Sequence, residues 1–239
     1  MPNLDEVKVR VNVNPHIIGI ILAAITLVLA GSYGTTKLIQ RFIAPEQDFG
    51  LYRFFSLGAE TSLPTYISAL YMLFAGFLLL VVTIYERRNR NELTLYWFGL
   101  ALGVIFMSFD ESTEIHEGII GPIFASFFDR GKRIWYYGWY IPFIPVISIV
   151  SILYIPFLRK IPLKYTKLFI LSGVTFIGGS VGIEMIQSYI SYYEIEMGMM
   201  SLPQIVEETC EMLGITILIY AVLLYICENK ITFQLKAKS

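Results

Sequence analysis

Charge is scarce in this sequence. Lys, Arg, Asp and Glu make up 15% of its 239 residues, whereas hydrophobic residues make up 56%. A water-soluble domain of this length carries about 25% charged residues. That deficit, with a mean hydropathy of +0.63, excludes an ordinary soluble core and makes the lipid bilayer the expected partner. Dense basic stretches are missing as well, so no nucleic acid is expected. No Gly-, Ser- or Pro-rich linker run divides the chain, which predicts one integral domain over residues 1–239.

The two histidines and two cysteines exclude further classes. His16 and His116 cannot supply a three-His zinc site, and they fall at opposite ends of the expected membrane depth, too far apart to share a haem. Thr113 stands three positions before His116, where a helical di-iron protein has Glu. Ser108 and Ser112 lie near His116 without a nucleophile elbow around either. Cys210 and Cys227 fall on one expected helix, roughly 25 Å apart at helical rise, beyond disulfide reach.

Long apolar runs are what the sequence does contain. They predict an all-α, polytopic transmembrane helical bundle of about six spans, near 16–35, 62–85, 94–117, 135–157, 168–190 and 204–227. The first reads as an uncleaved helix opening at Pro15, because it is longer than a usual signal-peptide core and no small-residue cleavage site follows it. Tyr96 and Trp97 fit the headgroup level at one end of the third span, and Trp135 to Tyr140 at the start of the fourth. Pro142, Pro145 and Pro156 predict a bent or locally unwound fourth span. The expected location is the cell membrane as a multi-pass protein, with a homo-oligomer or a place in a larger membrane complex both open.

Lys and Arg resist translocation and gather in cytoplasmic segments. With both termini cytoplasmic, 12 of the 18 basic residues lie inside. The same arrangement puts 14 of the 19 acids outside, so the small net charge of −1 hides two oppositely charged faces.

Some of those outer acids belong to membrane helices. The apolar parts of the third, fifth and sixth spans cover only about 24 Å of a roughly 30 Å hydrocarbon core, and acidic sequence completes each. The acids in question are Asp110, Glu111, Glu114 and Glu117 in the third span, Glu184 in the fifth, and Glu207, Glu208 and Glu211 in the sixth. At 100° per residue Asp110, Glu114 and Glu117 share one face of a regular helix, with His116 about 100° away from Glu117. The run Gly178-Gly179-Ser180-Val181-Gly182 offers a small face for close helix approach.

Intramembrane carboxylates are costly and mark interiors, water-filled cavities or bound ions. No Lys or Arg lies within the apolar runs to neutralise these acids. Protons, a cation, His116 or the basic residues of the 130–133 loop must do so. Asp110, Glu111, Glu114, His116, Glu117, Glu184, Glu207, Glu208 and Glu211 therefore form the expected ligand set for a divalent metal ion of the hard or borderline kind. A metal-dependent membrane enzyme, a proton- or cation-coupled transporter or channel, and a structural subunit all remain open. No catalytic residue is assigned.

The Asp-Glu-x4-His-Glu segment at 110–117, Gly182-x-Glu184 and the Glu-Glu-x-x-Glu-Met-x-Gly segment at 207–214 resemble motifs of an uncharacterised family of prokaryotic multi-span membrane proteins. The resemblance covers the third to sixth spans. It implies that Asp110, Glu111, His116, Glu117, Glu184, Glu207, Glu208 and Glu211 act as a set, and it brings no activity with it.

Overall fold

The computed structural model describes residues 13–42, 50–59, 61–127, 133–138, 140–194 and 201–231. These are mostly helical, with no strand among the described residues. In chain order they form α1 (Pro15–Phe42), α2 (Leu51–Phe55), α3 (Leu63–Arg88), α4 (Thr94–Thr113), a π-helical turn (Ile115–Ile120), α5 (Gly121–Phe127), a short 3-10 turn (Arg133–Trp135) and α6 (Phe143–Lys160). Then follow α7 (Leu163–Ile177), a second π-helical segment (Gly178–Ile183), α8 (Glu184–Tyr192) and α9 (Ser201–Glu228).

Among the described residues five helical stretches are long and apolar enough to cross a membrane: Pro15–Gln40, Leu63–Arg88, Phe143–Lys160, Leu163–Tyr192 and Leu202–Glu228. The segment expected as the third span contains α4, a 20-residue helix of about 30 Å that is not among these five. Tyr96 and Trp97 near its start, with Asp110 and Glu111 near its end, dilute its apolar character.

Local chemistry sets the helix ends. Pro15 opens α1 while Asn14 Oδ1 accepts the His16 amide at 3.0 Å. Ser62 caps α3 by accepting the Thr65 amide at 3.3 Å, with Pro64 in the first turn. Arg87 and Arg88 close α3, and Arg159 and Lys160 close α6, where cations complement the helix dipole. Pro142 and Pro145 do not bend α6 as expected. Pro142 is its N-cap and Pro145 lies in its first turn, where the missing amide has no intrahelical partner to lose. Only Pro156 lies inside.

α9 is the centre of the bundle, packed against α1, α3 and α7, and α3 pairs with α4 along its length. Two glycines allow the α7–α9 seam to close: a Cβ at Gly214 would stand 2.8 Å from Phe176 N, and one at Gly179 would stand 2.9 Å from Glu207 O. Ser172 Oγ donates to Gly214 O at 2.7 Å across the same seam, and Ser108 Oγ donates to Ala69 O at 2.7 Å between α4 and α3.

The end of the bundle away from the acidic segments is tied together by polar side chains. Tyr225 Oη donates to Glu86, which is 2% exposed. Lys164 and Tyr165 both donate to Glu228, and Lys160 meets Glu92 at 2.7 Å. Trp97 is not a headgroup marker, because it is fully buried. Its ring packs on Phe157 at 5.0 Å, Phe169 at 5.7 Å and Tyr225 at 4.9 Å. Tyr96 stacks on Phe157 at 5.7 Å.

Candidate functional site

The third expected span does not run as one helix from 94 to 117. α4 ends at Thr113, and Glu114 takes a left-handed conformation with φ 51° and ψ 39°. The chain then enters the π-helical turn Ile115–Ile120, so the break falls ahead of Gly118 and Gly121. Asp110, Glu114 and Glu117 consequently do not form a regular helical stripe. Asp110 instead reaches across the break: its Oδ1 accepts the His116 amide at 3.0 Å and its Oδ2 lies 2.6 Å from His116 Nδ1. One carboxylate thus caps the new helical turn and orients the imidazole. The side chain of Glu117 lies outside the described residues.

Gly178–Ile183 is the second π-helical segment, and it hands the chain to α8 with Glu184 in the first turn. Contact between Gly179 and α9 brings this segment against the backbone of Glu207 and Glu211. The Glu207 carboxyl, on α9, lies beside that of Glu184 on α8 and near Glu211, and accepts from Gln187 Nε2. Glu184 is 8% exposed, so bulk water screens this contact poorly.

Asp110, Glu111, Glu114, His116, Glu184, Glu207, Glu208 and Glu211 line a single cavity of about 1910 Å³. Its wall on α9 is a stripe of Gln204, Glu207, Glu208, Glu211, Ile215 and Leu218, acidic toward one end and apolar toward the other. No Lys or Arg is among its described lining residues. Phe157 and Phe169 line its far end, and the buried Trp97 ring packs behind both. The acids therefore face a shared space that an aromatic plug separates from Glu86 and Tyr225.

Close metal-like grouping is not what the structure shows. Among the described residues no three of His, Cys, Asp and Glu are near enough to hold one metal ion. Ser108 and Ser112 are committed to backbone carbonyls, of Ala69 at 2.7 Å and Ser108 at 3.0 Å, which leaves neither as a nucleophile toward His116.

Two polar residues of the cavity escaped the sequence reading. Gln187 bonds Glu207, and Gln204 Oε1 accepts from the Tyr33 hydroxyl at 2.7 Å. Gln187 stands three positions after Glu184, and Gln204 three and four positions before Glu207 and Glu208. That helical spacing places them beside the acids and was the available signal. The glycines also divide by role. Gly179 packs, whereas Gly178 and Gly182, with Gly103 and Gly173, line the cavity and have nothing within 4 Å of an added Cβ.

No curated protein and no solved structure matches this chain. A family match spans residues 19–227, from within α1 almost to the end of α9. It includes every acid that lines the cavity. The chain belongs to that family, described as a domain of unknown function (DUF8692).

Proposed function

We infer that this protein is a six-span membrane protein with both termini cytoplasmic, and that its cavity binds a cation from the outer side. α4 is the sixth span in this reading, long enough to cross and paired with α3 throughout. The distribution of Lys and Arg supports the orientation.

One observation carries the functional reading: seven carboxyl side chains and one imidazole line one cavity that has no Lys or Arg among its described lining residues. Ionised acids in a space shielded from water repel one another, and a cation or protons relieve that repulsion. The spacing of the donors favours a cation larger than a metal ion, because no three of them converge. A divalent metal ion would need Glu207, Glu208 and Glu211 to draw together around it. The aromatic plug of Trp97, Phe157 and Phe169 supports binding rather than free passage. Proton handling is the second reading, favoured by the closeness of the Glu184 and Glu207 carboxyl groups.

Thermal unfolding in detergent tests this. Mn²⁺, Ca²⁺ and tetramethylammonium are added to the parent protein and to Glu184→Gln, Glu208→Gln and Glu194→Gln. At least one cation should stabilise the parent and the Glu194→Gln control, and do so less for the two cavity variants. Protons compete for the same carboxylates, so the response should weaken on acidification. A parent protein indifferent to all three cations from acid to neutral pH would defeat the reading.

A further inference from the structure

The cavity is open sideways. Among the described residues α6 is held near its two ends. At its start, the Arg133–Tyr137 turn docks on α8: Ser188 Oγ accepts the Tyr137 amide at 2.9 Å, and the Tyr137 and Ser191 hydroxyls meet at 2.6 Å. Near its other end the Tyr154 hydroxyl donates to Tyr96 O at 2.9 Å, and Phe157 enters the aromatic plug. Between these anchors Val146 and Val150 line the cavity and are nonetheless exposed, as are Phe106 on α4 and Val174 on α7. An opening of the cavity between these helices at membrane depth would face lipid.

The walls were also left unfilled. Gly103 on α4 and Gly173 on α7 both face this space, and neither meets any atom within 4 Å of an added Cβ. A well-packed interior leaves no such room. The volume of about 1910 Å³ far exceeds what a hydrated metal ion needs, and most of the wall is aliphatic or aromatic.

We propose that the ligand is a membrane-resident amphiphile with a positively charged ammonium headgroup, which enters between α4, α6 and α7 and sets its headgroup among Glu184, Glu207 and Glu211. Resting on the cation reading above, the assignment adds the hydrocarbon chain and the lateral route. The charge of the site selects the headgroup: an anionic amphiphile meets seven carboxyl groups and no described Lys or Arg. The open apolar wall selects the chain, which reaches the cavity without leaving the hydrocarbon layer.

The test uses full-length protein in phosphatidylcholine nanodiscs, with isotope-labelled ligands and subtraction of protein-free discs. At equal bilayer mole fraction, protein should retain dodecyltrimethylammonium over dodecyl maltoside by at least about tenfold. Gly103→Leu and Gly173→Leu, at positions where an added Cβ meets no atom within 4 Å, should abolish that retention while leaving the thermal response to tetramethylammonium intact. Glu207→Gln should reduce both. Equal retention of the neutral maltoside, or Leu variants that retain the ammonium amphiphile like the parent, would overturn the assignment. Should tetramethylammonium or a divalent ion stabilise the parent without any amphiphile preference, the amphiphile falls and the cation reading stands. Failure of every cation would remove both.

Discussion

Gly179 and Glu207 are in backbone contact across the α7–α9 seam: a Cβ on Gly179 would stand 2.9 Å from Glu207 O and 2.8 Å from Cys210 Cβ. That approach puts Glu184, just beyond the π-helical segment, against the Glu207 carboxyl. Gly179→Leu should therefore push the helices apart and cost about 1–3 kcal/mol, the usual range for overpacking. Gly173→Leu, two turns away with open space around its Cβ, should leave stability within about 0.5 kcal/mol of the parent, as substitutions without a disrupted contact do. Melting of both variants in one detergent distinguishes a packed glycine from a cavity-facing one.

Asp110 holds the break after α4 by accepting from the His116 backbone and meeting its ring. Asp110→Ala leaves both groups without that partner, at a cost of about 1–3 kcal/mol for partly buried polar groups. The amide of His116 should exchange with deuterium faster in this variant than in Ser112→Ala. Unchanged exchange would place the stability of the turn elsewhere.

Tyr225 donates to the buried Glu86 at the opposite end of the bundle. Tyr225→Phe removes the donor and leaves the carboxyl in place, which should destabilise by about 1–3 kcal/mol. Glu86→Leu combined with Tyr225→Phe removes both polar partners and should recover much of the loss. Chemical unfolding of the two single variants and the double variant measures the coupling.

Orientation is checked by single cysteines at Glu92 and Arg133, in a protein with Cys210 and Cys227 replaced by Ser. Glu92 lies between α3 and α4, and Arg133 lies in the turn before α6. A membrane-impermeant maleimide on intact cells should label position 133 and spare position 92. Equal labelling would defeat the six-span arrangement.

Helicity and span length were legible in the sequence because both depend on neighbours along the chain. Twenty apolar residues commit a segment to helix in lipid, Pro15 and Ser62 start helices, and Arg87 and Arg159 end them. The acids were legible too, as polar residues where apolar ones belong.

Their arrangement was decided by tertiary structure. A regular 3.6-residue period put Asp110, Glu114 and Glu117 on one face, but the left-handed Glu114 ends that period and redirects Asp110 to His116. Trp97 had the composition of an interface residue, yet packing against Phe157, Phe169 and Tyr225 made it the plug of the bundle. A glycine-rich run has the same letters whether it packs or faces a void. Only the position of α9 separates Gly179, which packs on Glu207, from Gly182, where an added Cβ would meet no atom within 4 Å. Sequence spacing fixes rotation about one helix axis, whereas pairing Glu184 with Glu207, and docking α6 on α4 through Tyr154 and Phe157, depends on how separate helices are translated and tilted against one another.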